Sequence, residues 1–594
     1  MDKHQYRIGI IGNCSYLAYV DDRASVKWLC WPRFDSSFVF GSLLDEEKGG
    51  QFSIIPEGIS TSRQYYLDNS NVLCTEFENQ LGKFRVVDCA PRFQKYGRMF
   101  RPLMLIRKIE LLEGAPLIKI ICNPSVDYGS AMSSRLFGSN HISFTSYEVP
   151  MRLTTDVSLT FIHEQQSFLL HRDLYLVLTY GEPLEAPLKS TAEDFITLTT
   201  RYWQSWIKNT YVPDIYQDEV IRSALVLKLH QYEDTGGIIA SGTTSLPEHY
   251  GSHRTWDYRY CWIRDSYYTL KAFNEMGHFE ELEKYFEFIE NLLVRNKGRI
   301  NPLYSITGQP SPEETHLPLK GYLDHQPVRI GNKAADQIQN DVYGQILVGL
   351  YPLFTDKRLS YWKRDTFRYL IHRLLDWIEK TLIEPDAGLW EFRNVQQIHT
   401  YSLLFHWAGC QAAMRLAKNL HDQSIFSKAE KLSKIARQEI EKCYDADRQV
   451  YVQAQNAIHL DASTLKLITM NYLDPGSEKA ALHLRQLESL LKTDQGLLYR
   501  YVHPDDFGKP EATFLICSFW YIDALACVGR IDDARKNLEN ILKYSNQLGI
   551  FSEDVGIDGS QWGNYPQTYS HVGLINAVFR IAKKMDRPGY INAR

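Results

Sequence analysis

The sequence predicts a multi-domain chain, β then α, in which an N-terminal antiparallel β-sandwich precedes an (α/α)6 toroid. With 594 residues and a mass of 69.0 kDa, the chain is too long for one ordinary hydrophobic core. Short β-branched or alternating segments fill the first part, whereas apolar residues recur at helical steps in the second. We place the sandwich at residues 1–190, a linker helix region at 191–214 and the toroid at 215–594.

The β-sandwich prediction depends on segments that are separated by Gly, Pro, Asn and Asp turns at intervals of about ten residues. These segments are 26–31, 84–88, 103–109, 117–120 and 174–178. The stretch Gly9-Ile10-Ile11-Gly12 is not interpreted as a dinucleotide-binding loop, because a third glycine and a following helix are missing.

The toroid prediction depends on the number of helices. An aromatic helix at 202–207 bridges the two parts, and a strongly periodic apolar pattern follows at 267–293. Further helices are predicted at about 341–354, 358–383, 400–417, 423–442, 461–472, 478–491, 513–528, 531–544 and 569–585. About a dozen helices in about 370 residues is the number that an (α/α)6 toroid needs for its inner and outer rings.

The composition excludes several classes of protein. A net charge of −5 and a pI near 6.4 are not those of a nucleic-acid-binding or basic membrane-binding surface. The apolar segment at residues 8–11 is too short for a signal sequence or a membrane span, so we expect a soluble, cytoplasmic protein without a cleavable signal peptide. Export by a route without such a signal and the oligomeric state are left open.

The cysteines and aromatic residues indicate what kind of chemistry to expect. The ten cysteines show no CxxC or CxxH spacing, so we expect reduced thiols, no metal site and no disulfide framework. An aromatic content of 13% is common in carbohydrate sites, where a sugar lies flat on a ring, and a Tyr-rich core is the alternative explanation.

Three segments carry candidate catalytic groups. In Gly388-Leu389-Trp390-Glu391-Phe392-Arg393 a carboxylate stands between aromatic residues, and desolvation would raise its pKa as a general acid requires. A surface glutamate is the alternative. Within 254–265 the adjacent Arg264-Asp265 can donate to and accept from the hydroxyls of one sugar. Glu553 lies in 549–554, and two carboxylates are the minimum equipment for glycosidic bond hydrolysis.

Further motifs extend this pattern along the chain. Trp256-Asp257-Tyr258-Arg259-Tyr260-Cys261-Trp262-Ile263-Arg264-Asp265 is followed by Pro327-Val328-Arg329-Ile330-Gly331-Asn332 and Gln339-Asn340-Asp341-Val342-Tyr343-Gly344, and preceded by the segments 11–14 and 26–36. Together they resemble glycoside hydrolase family 15, the family of glucoamylases and bacterial-type trehalases, over nearly the whole chain. The two N-terminal segments are similar to the trehalase-like β-sandwich domain of prokaryotic members.

The resemblance implies a role for each matching residue. Glu391 lies at the position of the general acid and Glu553 at that of the general base. Arg264 and Asp265 match the pair that holds the non-reducing glucose in subsite −1. Aromatic walls are implied for Trp262, Trp256, Tyr260 and Trp390, and further substrate contacts for Arg329 and Asp341. Gln345 departs from the family, because many prokaryotic members have Glu there, and this puts the role of the surrounding polar network in doubt.

The resemblance implies hydrolysis with inversion and without a metal or organic cofactor. Inverting enzymes hold their two carboxyl groups about 6.5–9.5 Å apart, and retaining enzymes about 5–5.5 Å apart. We expect exo-acting release of glucose from the non-reducing ends of α-glucans or malto-oligosaccharides, of the glucan 1,4-α-glucosidase type.

Hydrolysis of α,α-trehalose is the alternative within the family, because both substrates need the same subsite −1. Residue types in the loops 322–326, 392–397 and 501–511, which would build subsite +1, do not rank the two substrates. An inverting disaccharide phosphorylase and a non-catalytic sugar-binding protein are more remote alternatives.

Overall fold

The computed structural model of the protein describes residues 3–359 and 365–586. Its N-terminal part consists of antiparallel strands and a short helix, α1 (Leu159–His163). The strands are β1 (Ile8–Gly12), β2 (Leu17–Asp21), β3 (Ser25–Cys30), β4 (Phe38–Phe40), β5 (Gln51–Pro56), β6 (Thr61–Tyr66), β7 (Leu73–Asn79), β8 (Gly82–Cys89), β9 (Phe93–Lys95), β10 (Arg98–Phe100), β11 (Met104–Gly114), β12 (Leu117–Asn123), β13 (Ser125–Val126), β14 (Ala131–Met132), β15 (Arg135–Phe137), β16 (His141–Phe144), β17 (Met151–Thr155), β18 (Phe168–Leu169) and β19 (Leu174–Tyr180). The segments predicted as strands correspond to β3, β8, β11, β12 and β19, which confirms a β-rich N-terminal part.

Most of these strands form two sheets that share one core. A seven-stranded sheet has the order β1-β2-β3-β5-β12-β18 with β4 paired to β3, and an eight-stranded sheet has the order β15-β16-β17-β19-β11-β8-β7-β6. Side chains from both sheets, such as Leu29, Phe52, Leu105 and Leu176, pack in one buried cluster. This two-layer arrangement is the predicted sandwich.

The predicted linker region contains a longer helix than expected. Helix α2 (Leu188–Lys208) covers the outer face of the eight-stranded sheet, where Ala192 packs with Met104, Tyr175 and Val177. Because this helix buries part of the sheet, it belongs to the packing of the N-terminal part as well as to the connection. The domain boundaries at 190 and 215 stay an interpretation.

The remaining helices form a closed double ring. They are α3 (Gln217–Leu229), α4 (Ile263–Met276), α5 (Phe279–Arg295), α6 (Val342–Thr355), α7 (Asp365–Thr381), α8 (Thr400–Leu420), α9 (Gln423–Glu441), α10 (Lys466–Thr469), α11 (Glu478–Leu491), α12 (Leu515–Cys527), α13 (Ile531–Leu542) and α14 (Thr568–Asp586). In the inner ring α4 packs on α6, α6 on α8, α8 on the 3-10 turn before α10, α10 on α12, α12 on α14, and α14 on α4. The other helices pack outside this ring, as the (α/α)6 prediction requires. Residues 360–364 of the helix predicted at 358–383 lie outside the described residues.

Short strand pairs lie in the loops between the helices. These are Thr244–Pro247 with Thr255–Asp257, Cys261–Trp262 with Leu303–Tyr304, Thr315–Leu317 with Val328–Ile330, Tyr444–Asp445 with Val450–Tyr451, and the triplet Thr513–Phe514, Asp554–Val555 and Gln561–Trp562. All ten cysteines are buried free thiols. Within the described ranges, no helix has the length and apolar character needed to cross a membrane.

Candidate active site

A cavity lies at the end of the ring where the inner helices begin. Its wall includes six of the predicted site residues: Trp256, Trp262, Arg264, Asp265, Trp390 and Glu391. The wall also includes residues that were not predicted as site residues, among them Glu248, Arg254, Tyr258, Arg393, Arg500, Phe507 and Tyr569. The other predicted residues, Glu553, Tyr260, Arg329 and Asp341, do not line this cavity and lie around it.

Glu391 is held by hydrogen-bond donors on one of its two carboxylate oxygens. Oε1 accepts from the Trp262 indole N–H at 2.8 Å, from the Arg264 guanidinium at 3.0 Å and from the Gln339 amide at 3.3 Å. The side chain remains 24% exposed. Because the donors of the described side chains all reach Oε1, Oε2 is the oxygen from which a proton could pass to a substrate. The environment is therefore more polar than the aromatic neighbours in the sequence suggest.

The backbone around Glu391 explains how the side chain reaches the cavity. Glu391 has φ 61°, in the left-handed region that costs a non-glycine residue about 1–2 kcal/mol. The turn is closed by a hydrogen bond from the Phe392 N–H to the Ala387 carbonyl at 3.1 Å, and Gln337 donates to the Glu391 carbonyl at 3.0 Å. At Gly388, with φ 66°, a Cβ would lie 2.7 Å from the His399 ring, so only glycine fits.

Arg264 and Asp265 occupy the first turn of α4 and are both buried. Arg264 donates to Gln339 at 2.6 Å and to the Tyr569 hydroxyl at 3.1 Å, as well as to Glu391. Burial raises the pKa of Asp265 to about 7, although the positive charge of Arg264 opposes this shift. The two side chains thus offer a fixed donor and a buried acceptor on the cavity wall.

Asp341 lies behind this pair at the start of α6. It is fully buried, and its carboxylate accepts from the Gln345 amide at 2.6 Å. Burial raises the pKa of Asp341 to about 6, against the effect of the Arg264 charge. Gln345, the residue that departs from the family pattern, therefore belongs to the polar network under the Arg264-Asp265 pair.

Glu553 is buried next to the cavity, and only 1% of the residue is exposed. Its Oε1 accepts from the Tyr258 hydroxyl at 2.8 Å and its Oε2 from the Asn564 backbone N–H at 3.0 Å. Burial, followed by the negative charge of Glu248, raises the pKa of Glu553 to about 8. The two hydrogen-bond donors oppose this shift. Tyr258 also lines the cavity, so its side chain links Glu553 to the cavity.

A cluster of charges that the sequence did not reveal lies beside Glu553. Glu248 accepts from Arg500 at 2.6 Å and from the Trp256 indole at 3.0 Å. Arg254 forms an ion pair with Asp505 and donates to the Gly508 carbonyl at 2.9 Å. Glu248 and Arg500 are 252 positions apart in sequence and Arg254 and Asp505 are 251 apart, so residue types alone carry no signal for these two pairs. Tyr258 could have been found, because it stands inside the motif at 256–265.

Arg329 and Tyr260 support indoles of the wall. The Arg329 guanidinium lies 4.9 Å from the Trp256 ring and is ion-paired with Glu314 at 2.6 Å. Tyr260 packs with Trp262 in a small buried cluster. Their roles as direct substrate contacts stay predictions.

Trp390 is fixed by Asp461, whose carboxylate accepts from the indole N–H at 2.6 Å.

Within residues 3–359 and 365–586, no group of three or more His, Cys, Asp or Glu side chains is arranged to hold a metal ion. The described wall of the cavity combines carboxylates, guanidinium groups and aromatic rings, which are the groups that suit binding and hydrolysis of a carbohydrate.

Comparison with known proteins identifies the family. The model of glycosyl hydrolases family 15 matches residues 214–579, and that of the trehalase-like N-terminal domain matches residues 3–165. The chain belongs to glycosyl hydrolases family 15.

Several curated relatives match over almost their whole length. A protein named trehalase from Thermoplasma volcanium is 32% identical over 98% of this chain and 94% of its own. Proteins named trehalase from Thermoplasma acidophilum and Mycobacterium tuberculosis are each 30% identical, over 94% and 95% of this chain and 97% and 87% of their own. The crystal structure of a bacterial glucoamylase complexed with acarbose has a TM-score of 0.70 at 15% identity, over 98% of this chain and 94% of that chain, so the fold is shared.

Proposed function

We propose that this protein hydrolyses α,α-trehalose to two molecules of glucose. The observation that carries the proposal is the full-length similarity to relatives named trehalase. This similarity favours trehalose, the alternative substrate that the sequence left open, rather than the α-glucans that were expected as the main substrate. The catalytic steps do not distinguish the two substrates, because subsite −1 serves both.

The cavity wall supports a substrate with a second sugar ring. Of the three loops expected to build subsite +1, 392–397 and 501–511 both supply wall residues, and they are tied together. The Arg393 N–H and the Asn394 amide donate to the two oxygens of Asp506, at 2.6 and 2.7 Å. Two loops anchored on each other limit the space beyond the scissile bond, which suits a disaccharide.

The third loop lies elsewhere. Tyr322, in loop 322–326, has its hydroxyl 2.9 Å from the His4 ring, and the loop supplies no residue to the described cavity wall. We therefore assign the second ring to the region of Trp256, Arg393 and Phe507, where the Arg393 guanidinium lies 4.9 Å from one ring and 5.0 Å from the other.

In the proposed reaction Glu391 protonates the glycosidic oxygen, and Glu553 takes a proton from the attacking water. The C–O bond to the leaving glucose breaks as the water oxygen bonds to the opposite face of the anomeric carbon. Tyr258 and the Asn564 N–H orient the Glu553 carboxylate and stabilise its ionised form. Arg264 and Trp262 stabilise the charge that Glu391 acquires when it gives up its proton.

The surroundings of Glu553 argue against a phosphorylase. Glu248 adds negative charge beside this carboxylate, and burial strengthens its repulsion of an anion. Phosphate would have to enter at this point as the nucleophile, where water enters in our proposal.

The decisive experiment compares trehalose, maltotriose and glycogen as separate substrates, with glucose release as the readout. We expect kcat/KM for trehalose to exceed that for the other two. Proton NMR of the first products adds the stereochemistry: inversion yields equal amounts of α- and β-glucose from trehalose, and retention yields α-glucose alone. Glucose release from glycogen but not from trehalose would replace the proposal by α-glucan exo-hydrolysis.

A further inference from the structure

A second cavity lies at the opposite end of the helix ring. We call it the distal cavity, and its wall is supplied mainly by α4, α6, α8 and residues 469–474. On α4, Lys271 and Asn274 lie about 10 and 15 Å further along the helix than Arg264, which lines the catalytic cavity. The distal cavity has a volume of about 580 Å³, enough for a ligand of small-molecule size.

The wall of the distal cavity carries more positive than negative charge. Lys271, Arg415 and Arg437 stand against one acid, Asp474. Arg415 packs 6.0 Å from the Tyr351 ring, and Arg437 packs against the Tyr472 ring. Among the salt bridges of the described residues, none pairs these three cations with a carboxylate. Asp523 and Glu275 lie close enough to Lys271 to interact with it electrostatically, but neither forms a salt bridge with it, so the wall as a whole still favours an anionic ligand.

The positive charge continues into the protein behind the wall. Lys466 and Arg580 are buried there with one acid, Asp523, which accepts from Arg580 at 2.7 Å. Burial, followed by the charge of Lys271, lowers the pKa of Lys466 to about 7. With this pKa Lys466 is only partly charged near neutral pH, and an anion in the distal cavity would favour its protonated form.

An unused hydrogen-bonding group adds a second indication of a ligand. Thr469 lines the distal cavity and is 3% exposed, and its hydroxyl makes no hydrogen bond with the residues that the structure describes. Buried hydroxyl groups normally have a partner, and a ligand would supply one here.

The other wall residues indicate the body of the ligand. Trp407 and Tyr472 stand edge to face at 5.2 Å, and such rings accommodate the C–H face of a sugar. Asn274 and Gln411 can donate to hydroxyl groups and accept from them, and Asp474 can only accept. A simple inorganic anion would gain nothing from the rings and would be repelled by Asp474.

We propose that the distal cavity binds a phosphorylated sugar. The phosphate lies against Lys271 and Arg415, because a guanidinium and an ammonium group match its charge and its acceptor oxygens. The sugar ring lies on Trp407, with its hydroxyls toward Asp474. The site is separate from the catalytic cavity, so the proposal does not depend on the substrate of the hydrolase.

The test is isothermal titration calorimetry of the full chain with glucose 6-phosphate, and with inorganic phosphate and glucose as comparison ligands. We expect glucose 6-phosphate to bind more tightly than either. Arg415→Gln should weaken it by about tenfold or more, through loss of a charge-assisted hydrogen bond. Arg485→Gln is the matched control, because Arg485 is exposed on the outer helix α11 and should leave the affinity unchanged.

Several outcomes would overturn the proposal. These are no binding of glucose 6-phosphate, an equal affinity for inorganic phosphate or for glucose, or an affinity that Arg415→Gln leaves unchanged. Trp407→Leu separates the two halves of the ligand: it should weaken glucose 6-phosphate and leave any inorganic phosphate binding as it is. Thermal unfolding of each variant shows whether it is folded.

Discussion

Removing the hydroxyl of Tyr258 tests the link between the cavity and Glu553 most directly. The Tyr258 hydroxyl donates to Glu553 Oε1 at 2.8 Å, and the aromatic ring lines the cavity. Tyr258→Phe keeps the ring and deletes only this hydrogen bond. The remaining donor to the carboxylate among the described groups is the Asn564 N–H, at 3.0 Å from Oε2.

The expected loss follows from the charge of the acceptor. A hydrogen bond to a charged group contributes about 1.5–3 kcal/mol, so kcat/KM should fall by about 10- to 150-fold. The hydrogen bond also stabilises the ionised form of Glu553, whose pKa burial already raises to about 8. Without the hydroxyl this pKa rises further, and the acidic limb of the pH profile of kcat/KM should move to higher pH.

The assay is glucose release from trehalose across pH, with Tyr175→Phe as the control. Tyr175 is buried between the eight-stranded sheet and α2 and donates to the Glu193 carboxylate at 2.6 Å, so the same chemical change is made far from the cavity. The control should retain the wild-type profile. If the acidic limb of the Tyr258→Phe profile stays in place, the reasoning about the Glu553 pKa is refuted, even if the rate falls. The hydroxyl would then affect only the orientation of Glu553.

Three further predictions follow from the same geometry. Glu391→Gln and Glu553→Gln should each lower kcat by about 10²–10⁴-fold, and near-full activity in either would mean that its role is misassigned. Burial raises the pKa values of Asp265 and Asp341 from 3.8 to about 7 and about 6, so their stabilising effect is complete below pH 4 and is lost as pH rises through 6 and 7. Buried histidines such as His230 and His406, whose pKa burial lowers to about 4, act in the opposite direction, so the test compares variants. The change in the urea midpoint from pH 5 to pH 8 should be more positive in Asp265→Asn than in the wild-type protein, and an identical change would contradict the shift of Asp265. Tyr6→Phe deletes a hydrogen bond of 3.0 Å to the Gly563 carbonyl and should lower the free energy of unfolding by about 1 kcal/mol in the same assay, whereas an unchanged value would show that this contact is not stabilising.

The fold could be predicted from the sequence because its signals are local. The turn spacing before residue 190 and the helical periodicity after residue 215 each depend on near neighbours. Helix α10 shows the limit: a helix was predicted at 461–472, but the structure has a 3-10 turn, Ala462–Leu465, followed by only Lys466–Thr469. Packing on α12 holds this short element in the inner ring. The local sequence pattern does not predict such packing, because it depends on residues that are distant in sequence.

The site could be predicted only where a motif or a family resemblance marked it. Arg264 and Asp265 are adjacent in sequence, so the sequence alone predicts that they lie in the same site. The contact between Tyr258 and Glu553 spans 295 positions, and that between Glu248 and Arg500 spans 252. Such pairs are created by closure of the helix ring, which brings the segment before α4 next to the segments before α12 and α14.

The two glutamates differ in their exposure to solvent. The sequence predicts desolvation for Glu391, whereas the structure shows it for Glu553. In the structure Glu553, not Glu391, is the buried carboxyl, and donors including Arg264 surround Oε1 of Glu391. In the proposed reaction Glu391 ends as a carboxylate and Glu553 ends protonated. Burial favours the neutral form of Glu553, which is the form that results when it takes the proton. The Trp262 and Arg264 donors at Oε1 of Glu391 are already in place to bind the carboxylate that forms there, and such preorganised donors lower a barrier.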